Sequence, residues 1–276
     1  MGEQTKIEWC STVGPDGQMY PGFSYNHWEG CAAISPACWN CYAEARNTRF
    51  HGGRNWGAGA PRRLSSATYQ KQPARWDARA RGLGIRLKVF GGSLMDFADN
   101  EVDPAWRDAL WQIIRETPAL DWLMLTKRIP NLARMLPADW GERGYANVWL
   151  GASVWDTQSA MRDIPRLLRV PATLRWISAG PMLGPISVAR ELLAGLDFVA
   201  IEGESGARAR PFCVDWAVNL VEDCRLAGVP VFVKQLGRNP VLSNGEALKL
   251  ADKKGGDPDE WPDPLQVRQF PVRFAR

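Results

Sequence analysis

The sequence has no run of eighteen apolar residues, and its opening, MGEQTKIEW, is polar. It therefore reads as neither a membrane span nor a signal peptide, and the expectation is a cytoplasmic protein with no membrane partner. Histidine is scarce: only His27 and His51 occur, and neither pairs with another ligand residue at finger-like spacing. Cysteine is not arranged as a disulfide framework either. Of six cysteines, Cys10, Cys213 and Cys224 are scattered, and the last two sit in apolar or helical context, where a free thiol packs as a small hydrophobe. Strong net charge is also absent. The formal value is +4, so composition alone does not select a polyanionic partner.

What is present is an ordinary globular composition over 276 residues, 45% apolar and 23% charged, enough for one large core. Most basic residues are arginine, which suits bidentate recognition of phosphate or carboxylate. Fourteen tryptophans are available for a core built on large aromatics. From Leu87 onward short apolar runs recur: LKVFGGS, WLMLTKR, VWLGASV, LRWISAG, FVAIEGES and PVFVKQLG. Stretches with helical spacing lie between them. DPAWRDALWQIIRET offers Asp103 as N-cap and Pro104 as first helical residue, and DWAVNLVEDCRLAG stops at Gly228. Apolar strands alternating with helices indicate a parallel sheet covered by helices. With a further strand near SYNHW, the expectation is an α/β fold, a partial (β/α) TIM-type barrel of about six to seven parallel strands. The barrel is expected over residues 1–240, with a cysteine loop at 31–41 and a basic insertion at 46–86. Residues 241–276 read as an irregular C-terminal extension.

Nearly every strand ends in small or charged residues: Ser93 and Asp96, Thr126-Lys127-Arg128, Ser153, Ser178, Glu202 and Glu204, Lys234 and Gln235. In β/α barrels, active sites are assembled at these C-terminal ends. The cysteine loop, Cys31, Cys38 and Cys41 in the pattern C-x6-C-x2-C, follows the first strand and precedes a helix opening at Tyr42. Three thiolates leave a tetrahedral zinc site one ligand short, with His27, His51 or Cys10 as candidates for the fourth. They also leave a 4Fe-4S cluster with one open iron, the arrangement that radical S-adenosylmethionine (SAM) chemistry uses. In that chemistry SAM chelates the open iron, accepts one electron from an external reductant and yields a 5′-deoxyadenosyl radical. A zinc-stapled nucleic-acid-binding protein without catalysis is the alternative. The Gly91-Gly92 pair ending one strand suits close backbone approach to SAM, or equally a strand-end turn.

Several blocks together carry a family likeness: TKIEW, YNHWEGCAAISPACWNCYAE, SLMDF, LTKR, NVWLGASV, ISAGPMLGPI, GESGARARP and FVKQLG. On these, over residues 3–237, the chain resembles the phage-associated three-cysteine-motif proteins, radical SAM-like enzymes of bacteriophage and prophage genomes. It departs from them at Gly180, where they typically carry glutamate, and at Glu202, which precedes Gly203 where they carry glycine. The resemblance implies a phage protein in the host cytoplasm that holds a 4Fe-4S cluster on Cys31, Cys38 and Cys41. Tyr42, Gly91, Gly92, Ser93, Ser153, Ser178 and Glu204 would line the SAM site. It further implies DNA or a modified nucleotide as substrate, with rearrangement of a glycyl-modified thymidine as the expected reaction. Lys127 and Arg128 would then fix its anionic parts, and Asp96 or Glu202 its amine, with Lys234 at the same mouth. The alternative is that these cations and acids pair with one another as structure.

Overall fold

The computed structural model describes Thr5 and residues 7–271. Seven strands form one parallel sheet: β1 Phe23–Tyr25, β2 Leu87–Gly91, β3 Leu120–Thr126, β4 Val148–Val154, β5 Leu174–Ala179, β6 Phe198–Glu202 and β7 Val231–Gln235. Their order in the sheet is β7-β6-β5-β4-β3-β2-β1, chain order without a switch, which is the topology of a partial β/α barrel. All residues of β2 and β4 are buried, the mark of strands covered on both faces.

The chain divides into two compact units. One comprises Met1–Pro36, Cys41–Gly151 and Val170–Thr173; the other comprises Ala37–Asn40, Ala152–Arg169 and Leu174–Arg276. The first holds β1 to β3 and the opening half of β4. The second holds the rest of β4 with β5 to β7.

In the first unit, helix α1 (Tyr42–His51) follows the cysteine loop, and α2 (Gln72–Leu83) connects β1 to β2. Helix α3 (Pro104–Glu116) starts as its sequence predicts, with Asp103 accepting from the Ala105 amide at 2.9 Å, and buries Leu110, Trp111 and Ile114. In the second unit, α4 (Thr157–Leu168), α5 (Arg190–Ala194) and α6 (Val214–Ala227) follow β4, β5 and β6. Gly228 ends α6 in the left-handed region at φ 72°. The stretch SVARELLAG forms only the five-residue α5. The tryptophans serve the core, with Trp28, Trp111, Trp122 and Trp176 fully buried.

Two segments differ from the sequence reading. Residues 72–83, the helix-like stretch within the segment read as a basic insertion, form a regular crossover helix that Trp76 and Ala80 fix by burial. Residues 55–64 are tied down. Arg63–Leu64 pairs antiparallel with Trp28–Glu29, and Arg62 is buried in an ion pair with Asp99 at 2.8 Å. Within the extension read at 241–276, residues 241–271 are largely irregular but packed, and residues 272–276 lie outside the described residues. Val233 N–H donates to Val267 O at 2.9 Å and Gln269 N–H to Val231 O at 2.8 Å, so the tail lies along β7, while Trp261 and Leu265 are buried. An otherwise open sheet edge is thereby covered.

Candidate functional site

At the strand ends of the first unit, the key group is a buried guanidinium. Arg128, just past β3, donates to Cys31 Sγ at 3.3 Å and to Ala32 O at 3.1 Å. The same fork faces Asp96 at 3.4 Å and Asp99 at 3.6 Å. Thr126 Oγ1 donates to Asp96 at 2.6 Å, and the Lys127 amide donates to the other oxygen of that carboxylate at 3.1 Å. Burial opposes the charge of Arg128, but Asp96, Cys31 and Asp99 outweigh it and raise its affinity for the proton. Burial pushes the Cys31 thiol up to about 12, with Asp96 adding to the effect and Arg128 opposing it. Asp99 also holds Arg62, so the buried network runs on into residues 57–62. Arg128 and Asp96 are thus spent on each other and on the first cysteine. Lys127 is different: its ammonium has no ion pair among the described residues and is half-buried at the end of β3.

The neighbouring strand ends are cross-tied. Ser93 Oγ accepts from Ser24 Oγ at 2.9 Å and from Asn26 Nδ2 at 2.9 Å, and Asn26 Oδ1 accepts from the Leu94 amide. Tyr42 donates its hydroxyl to Ser93 O at 2.8 Å, fixing the start of α1 right after Cys41. The two glycines have local explanations. A side chain at Gly91 would meet Met124 Sδ at 2.3 Å, and Gly92 has φ 116°, which L residues rarely adopt. Neither requires a ligand to account for it. Of the fourth-ligand candidates, His27 is buried with Nδ1 at 2.9 Å from the Tyr25 hydroxyl, and burial lowers its pKa to about 4. His51 lies against Glu29 at 3.6 Å, and Cys10 is fully buried.

The second unit carries its own strand-end set. Glu202 of β6 and Lys234 of β7 form a half-buried ion pair. Gly180, just past β5, matters here. A Cβ at that position would come within 2.6 Å of Glu202 Cγ and Oε1 and 2.7 Å of Ser178 Oγ. Glu202 therefore occupies the room that a side chain at position 180 would need, the physical form of the two sequence departures. Ser153 is fully buried and donates to Gly180 O at 2.8 Å. Glu204 accepts from Arg210 and from Asn40 Nδ2 at 3.0 Å, and Arg210 also lies over the ring of Trp39. Burial works against ionisation of Glu204, yet these bonds hold its pKa below the usual carboxylate value. Glu204 thus anchors the segment that carries Cys38.

Sequence reasoning named Arg128 and Glu204 but not what they hold. Asp99, Arg62 and Asn40 were missed, since their partners are distant in sequence, and Arg210 was missed although its partner Glu204 lies six residues away. The six cysteines are free thiols. Among the described residues, no three His, Cys, Asp or Glu side chains are gathered as a preformed metal site. In the sequence, Cys31, Cys38 and Cys41 place three thiolate donors within eleven residues, a donor set of the kind thiophilic metals take.

A family model described as protein of unknown function (DUF5131) matches residues 4–260. The chain belongs to the DUF5131 family. Comparisons with curated proteins and with solved structures return no match. No helix of this DUF5131 chain is long and apolar enough to cross a membrane among the described residues.

Proposed function

We propose that this chain is a radical SAM enzyme that modifies a nucleic-acid base, in line with its resemblance to the phage three-cysteine-motif proteins. The observation that carries the reading is the placement of Cys31, Cys38 and Cys41, outside any disulfide and in C-x6-C-x2-C spacing, between β1 and α1 of a sheet with barrel strand order. Cys31, Cys38 and Cys41 would hold a 4Fe-4S cluster, which would supply one-electron reductive cleavage of SAM with an external reductant as the electron source.

The chain's own residues divide the remaining work. Arg128 holds Cys31 and compensates charge beside it; Glu204 and Asn40 hold the Cys38 segment; Tyr42 holds the start of α1 after Cys41. Lys127 is the uncommitted cation for a phosphate or carboxylate, replacing Arg128 in that role. Glu202 and Lys234 can exchange their mutual ion pair for the amine and carboxylate of a glycyl-modified thymidine. That substrate suits the chemistry, because a hydrogen removed from the glycyl carbon and later returned permits a C–N linkage to become C–C with no atom lost.

The test is anaerobic incubation of reduced protein with SAM and phage nucleosides, followed by mass spectrometry. We expect 5′-deoxyadenosine from the wild type and none from Cys38→Ala. A colourless, zinc-loaded protein that leaves SAM intact would replace this reading with the zinc-stapled binding protein.

A further inference from the structure

Helix α1 carries an unusual surface at its C-terminal end. Phe50 is 62% exposed, and the guanidinia of Arg46 and Arg49 lie over its ring, 5.5 Å and 5.3 Å from the centroid. Residues 42–63 hold five arginines against one glutamate, a formal +4 equal to the net charge of the whole chain. One buried acid from outside the segment, Glu29, answers part of this, accepting from Arg46 at 2.9 Å and from Arg63 at 2.5 Å. Arg62 is matched by Asp99 and Glu101. Arg49 and Arg54 have no acidic partner among the described residues; Arg54 donates only to His51 O. A cation in the last turn of a helix answers the helix dipole, but that accounts for neither Arg54 beyond the helix nor an exposed phenylalanine among arginines.

An exposed ring flanked by guanidinia, with Arg49 and Arg54 lacking acidic partners among the described residues, is the composition that stacks a base and contacts its phosphates. A paired base is already stacked within its duplex and is not available to a projecting ring, whereas an unpaired base is. We propose that the C-terminal face of α1 and the turn after it bind single-stranded nucleic acid, with Phe50 as the stacking platform and Arg49 and Arg54 on the backbone. Phe50 lies nine residues beyond Cys41, about 13 Å along the helix at 1.5 Å per residue, a distance of a few nucleotides of a single strand. The proposal rests on the nucleic-acid reading above and adds the strand state and the contact surface.

Fluorescence anisotropy with a labelled oligothymidylate of about twenty nucleotides, and with the corresponding duplex, across 50 to 200 mM salt tests it on the full chain. The single strand should bind more tightly than the duplex. Phe50→Ala should weaken single-strand binding roughly tenfold or more, the loss of one stacked base, while Phe50→Tyr retains it. Arg49→Gln and Arg54→Gln should each reduce the salt slope by about 0.7. All three positions are exposed, so thermal stability should stay unchanged. Duplex preference, single-strand binding indifferent to Phe50→Ala, or equal binding to anionic lipid vesicles would overturn the proposal. The assay needs no turnover: Phe50-dependent binding without 5′-deoxyadenosine formation sinks only the radical reading. Conversely, 5′-deoxyadenosine formed with free nucleosides but no oligonucleotide binding sinks only the surface.

Discussion

Arg128 gives one fork of hydrogens to four acceptors: Cys31 Sγ, Ala32 O, Asp96 and Asp99. A side chain so committed and so buried cannot also reach out to a substrate phosphate, so its role is to position the first cysteine. Arg128→Met should cost about 3–5 kcal/mol in urea unfolding, because it leaves the buried Asp96 carboxylate without its cation, while Asp99 keeps Arg62. Arg128→Lys keeps the charge but loses the planar fork. In the folded, metal-free Lys variant, alkylation mapped by mass spectrometry should rise several-fold at Cys31 and stay level at Cys41. An unchanged Cys31 rate would return Arg128 to the list of substrate contacts. The glycines carry a similar lesson at this scale. Gly91 and Gly92 are explained by Met124 and by a positive φ, whereas Gly180 makes room for the Glu202 carboxylate.

Among the elements, the strands were readable because burial on both faces turns them into unbroken apolar runs. The cap at Asp103 and the stop at Gly228 were readable because both are local rules. QPARWDARARG reads as helix-like, and it is α2; its place as the crossover from β1 to β2 was not readable, since it buries only Pro73, Trp76, Asp77 and Ala80 and leaves arginine on much of the rest of its surface. The tail was harder still. Its buried residues, Trp261 and Leu265, stand alone in a Pro- and Asp-rich stretch with no period to detect. The structure gives that stretch a definite duty along β7, where Trp261 Nε1 donates to Gly255 O at 3.1 Å. Trp261→Ala should therefore destabilise the fold by about 3–5 kcal/mol, the usual cost of removing a buried tryptophan. A truly irregular, idle extension would tolerate the change within about 0.5 kcal/mol in the same denaturation experiment.

Across the whole molecule, the parallel order of seven strands was legible in the alternation of elements, and so was the position of the cysteine loop after the first strand. The division of labour at the strand ends was not. Sequence places Asp96, Arg128, Glu204 and Lys234 at strand ends, but ion pairs between residues far apart in the chain decide which are anchors and which remain available. Arg128 and Glu204 are held in ion pairs within their own units, Glu202 pairs with Lys234, and Lys127 has no ion pair among the described residues.

The central claim is that three thiols on one loop hold a cluster with an open iron. Its most direct test is the iron and acid-labile sulfide content of the anaerobically reconstituted chain, measured alongside Cys31→Ala, Cys38→Ala, Cys41→Ala and Cys213→Ala. The account predicts about four irons and four sulfides per chain in the wild type and in Cys213→Ala. Each of the three loop variants should lose them. Stoichiometric zinc in the wild type, or iron retained by any loop variant, would contradict it.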